Sequence, residues 1–343
     1  MIKRLAPLLC LLALAGPLHA QTEPPPAAAA QSVQPASSDG EALPDQIVIV
    51  GKKPGPGLWK VSKGDHVLWI FGTYAPLPKK MEWRSQEVET VIGQSQEYLA
   101  PPSASATVGF FRQLTLLPYA IGLKKNPDGA YLKDVVPADV YARWQVLKAK
   151  YIGEDEGIER ERPIFAAETL WNKGMAKSGL GSDAEVRKAI EDLVKKNNLK
   201  TVSSNVKLPM DDPVRTIKTF KKTSLGDAVC FATTLDRMET NVAELRERAL
   251  AWAKGDLETI RKLHLDKDED ACIGSLLSSA FAQSQPELQN VKQRMQDAWL
   301  ASAEKALAAN NSTFAILTVK ELLGEKSLLA QLQAKGYEVK HPD

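Results

Sequence analysis

Histidine is scarce in this chain, with four residues among 343. Any imidazole-based metal centre or general base has to be assembled from His19, His66, His264 and His341. Cysteine is scarcer, limited to Cys10, Cys230 and Cys272. Neither sign of charge is in excess: 44 basic residues face 42 acidic ones, a formal net charge of +2. Nucleic acid is therefore not expected as the main partner, because binding phosphates calls for a clear basic surplus. Long apolar runs are also missing. The stretch that stands out, Leu5 to Gly16, is shorter than the ~20 residues a membrane-spanning helix needs. What remains, 44% apolar and 25% charged, is ordinary globular composition, which excludes wholesale disorder, collagen-like repeats and a multi-span membrane protein.

The first twenty residues have the pattern of a secretory signal. Lys3 and Arg4 form a basic start, Leu5 to Gly16 an apolar stretch, and Leu18-His19-Ala20 a small-residue cleavage site. The competing reading is an uncleaved anchor, which the short apolar stretch disfavours. Cleavage near Ala20 would place the mature protein in the periplasm or outside the cell, without a transmembrane segment. It would also remove Lys3, Arg4, Cys10 and His19, leaving three histidines and a formal charge of zero. Two cysteines would remain, Cys230 and Cys272, 42 residues apart. In an oxidising compartment such a pair is expected to bond. The closed loop would contribute ~4 kcal/mol in the chain-entropy model. The alternative is two buried free thiols packing as small hydrophobes.

Residues 21–45 are rich in Pro and Ala and cannot bury enough apolar surface to order themselves, so they read as a flexible tether. From there residues 46–343 read as a single domain. Ile47 to Val50 is a short β-branched run, and Gly51 to Gly57 is rich in turn residues. Leu58-Trp59-Lys60-Val61 and Val67 to Phe71 flank a polar, Gly-containing turn, which is a hairpin signal. Apolar spacing predicts helices over 81–96, 137–151, 165–177 and 183–197. Ser224-x-x-Asp227 and Ser284-x-x-Glu287 are read as caps of two further helices. The first runs towards Trp252, and the second carries Leu288, Val291, Met295, Trp299, Ala303 and Ala306 on one stripe. Thr313 to Val319 reads as a strand, 325–335 as a helix stopped by Gly336, and Tyr337 to Lys340 as a closing strand. The fold class that follows is α+β. A central mixed β-sheet is built from N- and C-terminal strands and flanked by a large helical portion.

Common catalytic signatures are absent. No G-x-S-x-G, H-E-x-x-H or C-x-x-C occurs. Gly51 to Gly57 lacks the Gly-Lys-Ser/Thr ending of a phosphate loop. Asp266-x-Asp268-x-Asp270 starts like a calcium loop but has Ala271 at the sixth position and Leu277 at the twelfth. A thiol nucleophile would have to pair Cys272 with His66, His264 or His341, in direct competition with a disulfide.

Three segments taken together resemble the TraB/GumN family, which is related to Tiki-type metal-dependent proteases. The first is Leu58 to Val61, a turn, then Leu68-Trp69-Ile70-Phe71-Gly72-Thr73; in the family this hairpin leads into Gly-x-x-His. The second is Gly255-Asp256-Leu257 after a long helix. The third runs from Arg294 through Phe314 to Leu317, then Leu322-x-Gly324 and Lys335 to Val339. There the family has a second Gly-x-x-His-Leu-x-Gly and a similar closing strand. The resemblance covers residues 47–343 in order, with the middle weakly matched.

The departures fall on the chemistry. The first motif reads Gly72-Thr73-Tyr74-Ala75, so Ala75 stands at the histidine position. The second reads Thr318-Val319-Lys320-Glu321, replacing both the glycine and the histidine. Ala100, after Glu97-Tyr98-Leu99, aligns with the glutamate that usually ends the next strand, and Met295 follows Arg294 where an Asn is usual. A water-activating metal needs several imidazole or carboxylate ligands converging on one point. Alanine has no donor atom, and Glu321 alone is not a ligand set. The expectation is a degenerate family member with no catalytic residues, no metal and no cofactor. It would act by binding a protein or polysaccharide partner of the cell envelope. The competing expectation is a hydrolase or peptidase with a site rebuilt from Glu321, Arg294 and Tyr74, since a Tyr hydroxyl and an Arg can stabilise an oxyanion. Sugar stacking on some of the seven tryptophans is a further possibility, set against Trp59, Trp69 and Trp299 lying on apolar patterns suited to a core.

Overall fold

A computed structural model describes residues 56–342 except 80, 82–85, 109, 241, 263–270 and 325. The expected signal segment, the tether, the run Ile47 to Val50, His264 and the Asp266 loop lie outside the described residues. The described residues fall in one compact unit, Leu43–Asp343, and the architecture is α+β, as expected.

Ten strands are present among the described residues: β1 Leu58–Lys63, β2 His66–Thr73, β3 Leu77–Pro78, β4 Glu97–Leu99, β5 Ala104–Thr107, β6 Leu180–Gly181, β7 Lys200–Val202, β8 Val206–Pro209, β9 Ser312–Thr318 and β10 Glu338–Lys340. Six form a mixed sheet in the order β10-β1-β2-β9-β4-β7. The hairpin forms as expected. Lys63 pairs with His66 around Gly64-Asp65, and Gly64 has φ +64°, the left-handed conformation a two-residue hairpin turn takes most readily with glycine first. β10 closes on β1 antiparallel, while β2, β9, β4 and β7 are all parallel. Residues 70–73 of β2 and 313–317 of β9 are buried without alternation, so the centre of the sheet is covered on both faces.

The helix Val291–Ala309 packs on β2, β4 and β9, burying Trp299, Ala303 and Ala306 of the expected stripe. Pro163–Lys177, Ala138–Tyr151 and Ala184–Lys196 match expected helices closely. The helical portion has its own core, with Trp144, Leu147, Leu170, Phe231 and Leu235 among its members. Cys230, in helix Ala228–Thr240, and Cys272, in helix Ala271–Ser278, form the disulfide, which removes Cys272 as a candidate nucleophile. Among the described residues no helix is long and apolar enough to cross a membrane.

Both expected caps are corrected. Ser284 ends the short helix Ala280–Gln283 instead of starting the next one, its hydroxyl donating to Phe281 O. Pro286 then begins a 3-10 turn that takes Leu288 out of the expected stripe, and the long helix starts only at Val291, after Asn290 with φ +51°. Asp227 does not cap towards Ser224; its carboxylate accepts the backbone N–H of Ile164, at the start of Pro163–Lys177. Towards Trp252 the chain is helical over Ala228–Thr240 and Val242–Lys254, on either side of residue 241, which lies outside the described residues.

Candidate functional site

The parallel register brings the motif positions together. Thr73 at the end of β2 pairs with Thr318 at the end of β9, and Leu99 of β4 pairs with Ala315. Ala75, Glu321 and Ala100, read from separate motifs, therefore all follow the C-terminal ends of three adjacent parallel strands. In open α/β sheets this is the edge where ligands bind.

The first motif is built around close packing. A Cβ on Gly72 would lie 2.5 and 2.9 Å from the Trp59 indole and 3.0 Å from Leu322 Cδ1, so only glycine fits there without displacing a buried ring. The Gly72 carbonyl accepts the indole N–H of Trp252 at 2.7 Å, and Trp252 stands edge-on to Phe71. Thr73 Oγ1 accepts Arg187 Nη2 at 3.2 Å, while Arg187 Nε donates to Asp183 Oδ2 at 2.6 Å. Tyr74 is buried in the sheet core. Ala75 is exposed and offers only a methyl group.

The second motif has become a helix start. Thr318 caps the short helix Val319–Leu322. Its backbone N–H and its hydroxyl both donate to Glu321 Oε2 at 2.8 Å, and the Glu321 N–H donates back to Thr318 Oγ1 at 3.3 Å. This is a reciprocal capping box. Thr318 and Glu321 thus form one structural unit, and Thr-x-x-Glu is a signal that could have been read from the sequence. Gly324, two residues past the helix, has φ +98°, a backbone state that favours glycine. Ala100 is half-buried and donates its N–H to Val202 O, joining β4 to the strand beside it.

Arg294 is not part of this edge chemistry. It is exposed, and its Nη1 donates to Glu287 O at 3.0 Å, a backbone contact at the entry to its own helix. No ion pair joins Arg294 to Glu321 among the described residues. Tyr74, Arg294 and Glu321 are thus engaged respectively with core, helix entry and cap. Among the described residues no group of three or more His, Cys, Asp or Glu side chains is placed to hold a metal ion. The side chains at the motif positions do not make up a ligand set for a water-activating metal: two are methyl groups, and the third is a single carboxylate whose Oε2 serves a cap.

Among the described residues there are two histidines, His66 and His341. His66 opens β2, about 23 Å along the strand from Thr73 at strand rise, with Nδ1 2.8 Å from Asn310 O. His341 follows β10, at the same edge as Ala75 but two strands away in the sheet order. Its Nδ1 accepts the Trp59 indole N–H at 3.2 Å. Sequence reasoning did not place His341 there, because only the pairing of the last strand with the first brings it to this edge. The tryptophans largely follow the core reading. Trp59, Trp144, Trp252 and Trp299 are fully buried, while Trp69 and Trp171 are each covered by a cation, Lys60 and Arg237.

Comparison with curated proteins and with solved structures gives no match. A family model does match, over residues 57–341, from the first strand of the sheet to just past the last. On that match, the chain belongs to the TraB/PrgY/gumN family.

Proposed function

We propose that this is an exported TraB/PrgY/gumN-family protein that has lost the family's metal chemistry and acts by binding an envelope or periplasmic partner. The observation that carries this reading is the replacement of donors at three adjacent strand ends, with Glu321 held by Thr318. Both hydrogen bonds, at 2.8 Å, fall on Oε2 and hold the carboxylate over its own turn; with methyl groups at the other two positions, a single carboxylate does not make the converging ligand set a water-activating metal needs. Export is supported by the basic and apolar pattern of residues 1–20, with residues 21–45 as a tether and the single domain beginning after them. The Cys230–Cys272 bridge suits an oxidising compartment. Among the described residues four indoles are fully buried, which supports a protein partner over a polysaccharide that stacks on tryptophan.

The test is metal analysis of the purified mature protein, together with a generic peptidase assay in added divalent metal and in chelator. The expected result is substoichiometric metal and no hydrolysis that depends on it. Bound metal near one equivalent, with peptidase activity abolished by chelator, would overturn the proposal and restore an enzyme reading.

A further inference from the structure

The helix Phe110–Ala120 ends in an apolar surface that is exposed among the described residues. Leu117 is 66% exposed and Ile121 76%, with Tyr119 37% exposed between them. Leu117 and Ile121 are four residues apart and so share one face of the helix end. Exposed aliphatic side chains grouped in this way mark an interaction surface more often than isolated ones do.

What lies beside it is cationic. The helix Pro213–Lys222 turns Phe220 inward against Phe281 and Phe165, while Arg215, Lys218 and Lys222 are exposed and line a surface hollow with Thr219 and Asp212. Lys218 Nζ sits 5.2 Å over the Tyr119 ring. Lys221 Nζ donates to Tyr119 O and Ile121 O at 3.2 and 2.6 Å, tying the end of the apolar helix to the basic one. The basic helix is itself held by Arg162, whose guanidinium donates to Phe220 O, Lys221 O and Thr223 O. Lys124 and Lys125 extend the cationic border and are exposed. Residues 110–125 and 213–222 together hold seven basic residues and no acidic one, in a chain whose charges otherwise nearly balance.

We infer that this surface docks on an anionic phospholipid bilayer, with Leu117, Tyr119 and Ile121 entering the interface and Lys218, Lys222 and Arg215 meeting lipid phosphates. An apolar patch bordered by lysine and arginine, with an aromatic ring between, has the composition of interfacial membrane anchors. Charge complementarity is what selects this occupant. A second copy of the chain would bring the same cations against each other, and a neutral surface would gain nothing from them. The inference stands whether or not the strand-end site retains activity.

Hydrogen–deuterium exchange on the full chain, with and without vesicles, tests it. Reading residues 110–124 and 213–222 separately keeps adsorption through the apolar residues 5–16 out of the result. Vesicles of phosphatidylcholine containing about a quarter phosphatidylglycerol are expected to protect both segments, and phosphatidylcholine alone to protect neither. Rising salt should weaken the protection. Leu117→Asp with Ile121→Asp should abolish it, and Lys218→Gln and Lys222→Gln should each lower vesicle affinity by about fivefold. Thermal unfolding of these surface variants should match the parent, which separates lost docking from lost folding. Unchanged exchange in anionic vesicles, or equal protection by neutral ones, overturns the inference. So does protection that grows with protein concentration in the absence of lipid, which would make a second copy the occupant.

Discussion

At Glu321 both hydrogen bonds to Oε2 come from Thr318, three residues back, so the side chain closes its own turn. The side chain is turned to secondary structure. Two different consequences follow for substitution. If the carboxylate only caps, Glu321→Ala removes the acceptor of one backbone and one hydroxyl donor and should cost about 1 kcal/mol of stability, as lost caps do. If it ligated a metal, the variant would instead lose stabilisation that appears only when metal is added. Denaturant unfolding of parent and variant, with and without added divalent cation, separates the two. The expected outcome is a loss of about 1 kcal/mol that is the same in both conditions. Replacement at Ala75 is simpler still, since its methyl group gives neither ligand nor cap and lies at the surface.

Among the elements, those with strong local patterns were legible and those fixed by distant partners were not. β1 and β2 announce themselves by strand-forming residues around Gly64, and β9 by an unbroken apolar run. β7, with three residues whose burial does not alternate, exists because β4 pairs with it, and nothing in Lys200-Thr201-Val202 shows that. The misplaced cap at Ser284 has the same origin. The spacing of Ser and Glu was right, but Pro286 and the left-handed Asn290 moved the helix start to Val291. Arg162 is a further tertiary device invisible in sequence. It is 2% exposed, sits just before helix Pro163–Lys177, and donates to carbonyls at the end of helix Pro213–Lys222 and to Lys125 O. It also stacks 4.8 Å over Phe220. Arg162→Met keeps the aliphatic stem but leaves helix-end carbonyls without their donors. Unmet buried acceptors of this kind should lower stability by about 3 kcal/mol. Chemical denaturation measures it, and a loss within about 0.5 kcal/mol of zero, the range of ordinary surface changes, would show that water replaces the guanidinium there.

For the molecule as a whole, the sheet that joins its first and last strands also couples stability to pH through Tyr98. This residue lies on β4 with its ring beside Phe314 of β9. Burial in the sheet core, reinforced by the charge of Glu191 and opposed by that of Arg187, pushes its phenol up to about 12. The unfolded phenol titrates near 10. Between these values the unfolded chain gives up a proton that the folded chain keeps, so the folded state loses stability as pH rises. Glu159 works at the other end of the scale. Burial alone would raise its carboxyl, but hydrogen bonds from Lys148, Trp144 and Gln145 together with the Lys148 charge hold it below the usual range. Its contribution is present above the unfolded value and is lost as pH falls through the depressed one. The alkaline arm gives the cleaner measurement, because Tyr98→Phe removes the titrating group and keeps the ring. Unfolding free energies of parent and variant should diverge by about 1.3 kcal/mol in favour of Phe between pH about 9 and about 11. Equal slopes for the two proteins would mean that the phenol ionises freely in the folded state, and that β4 is more open to water at this edge than its packing against β9 implies.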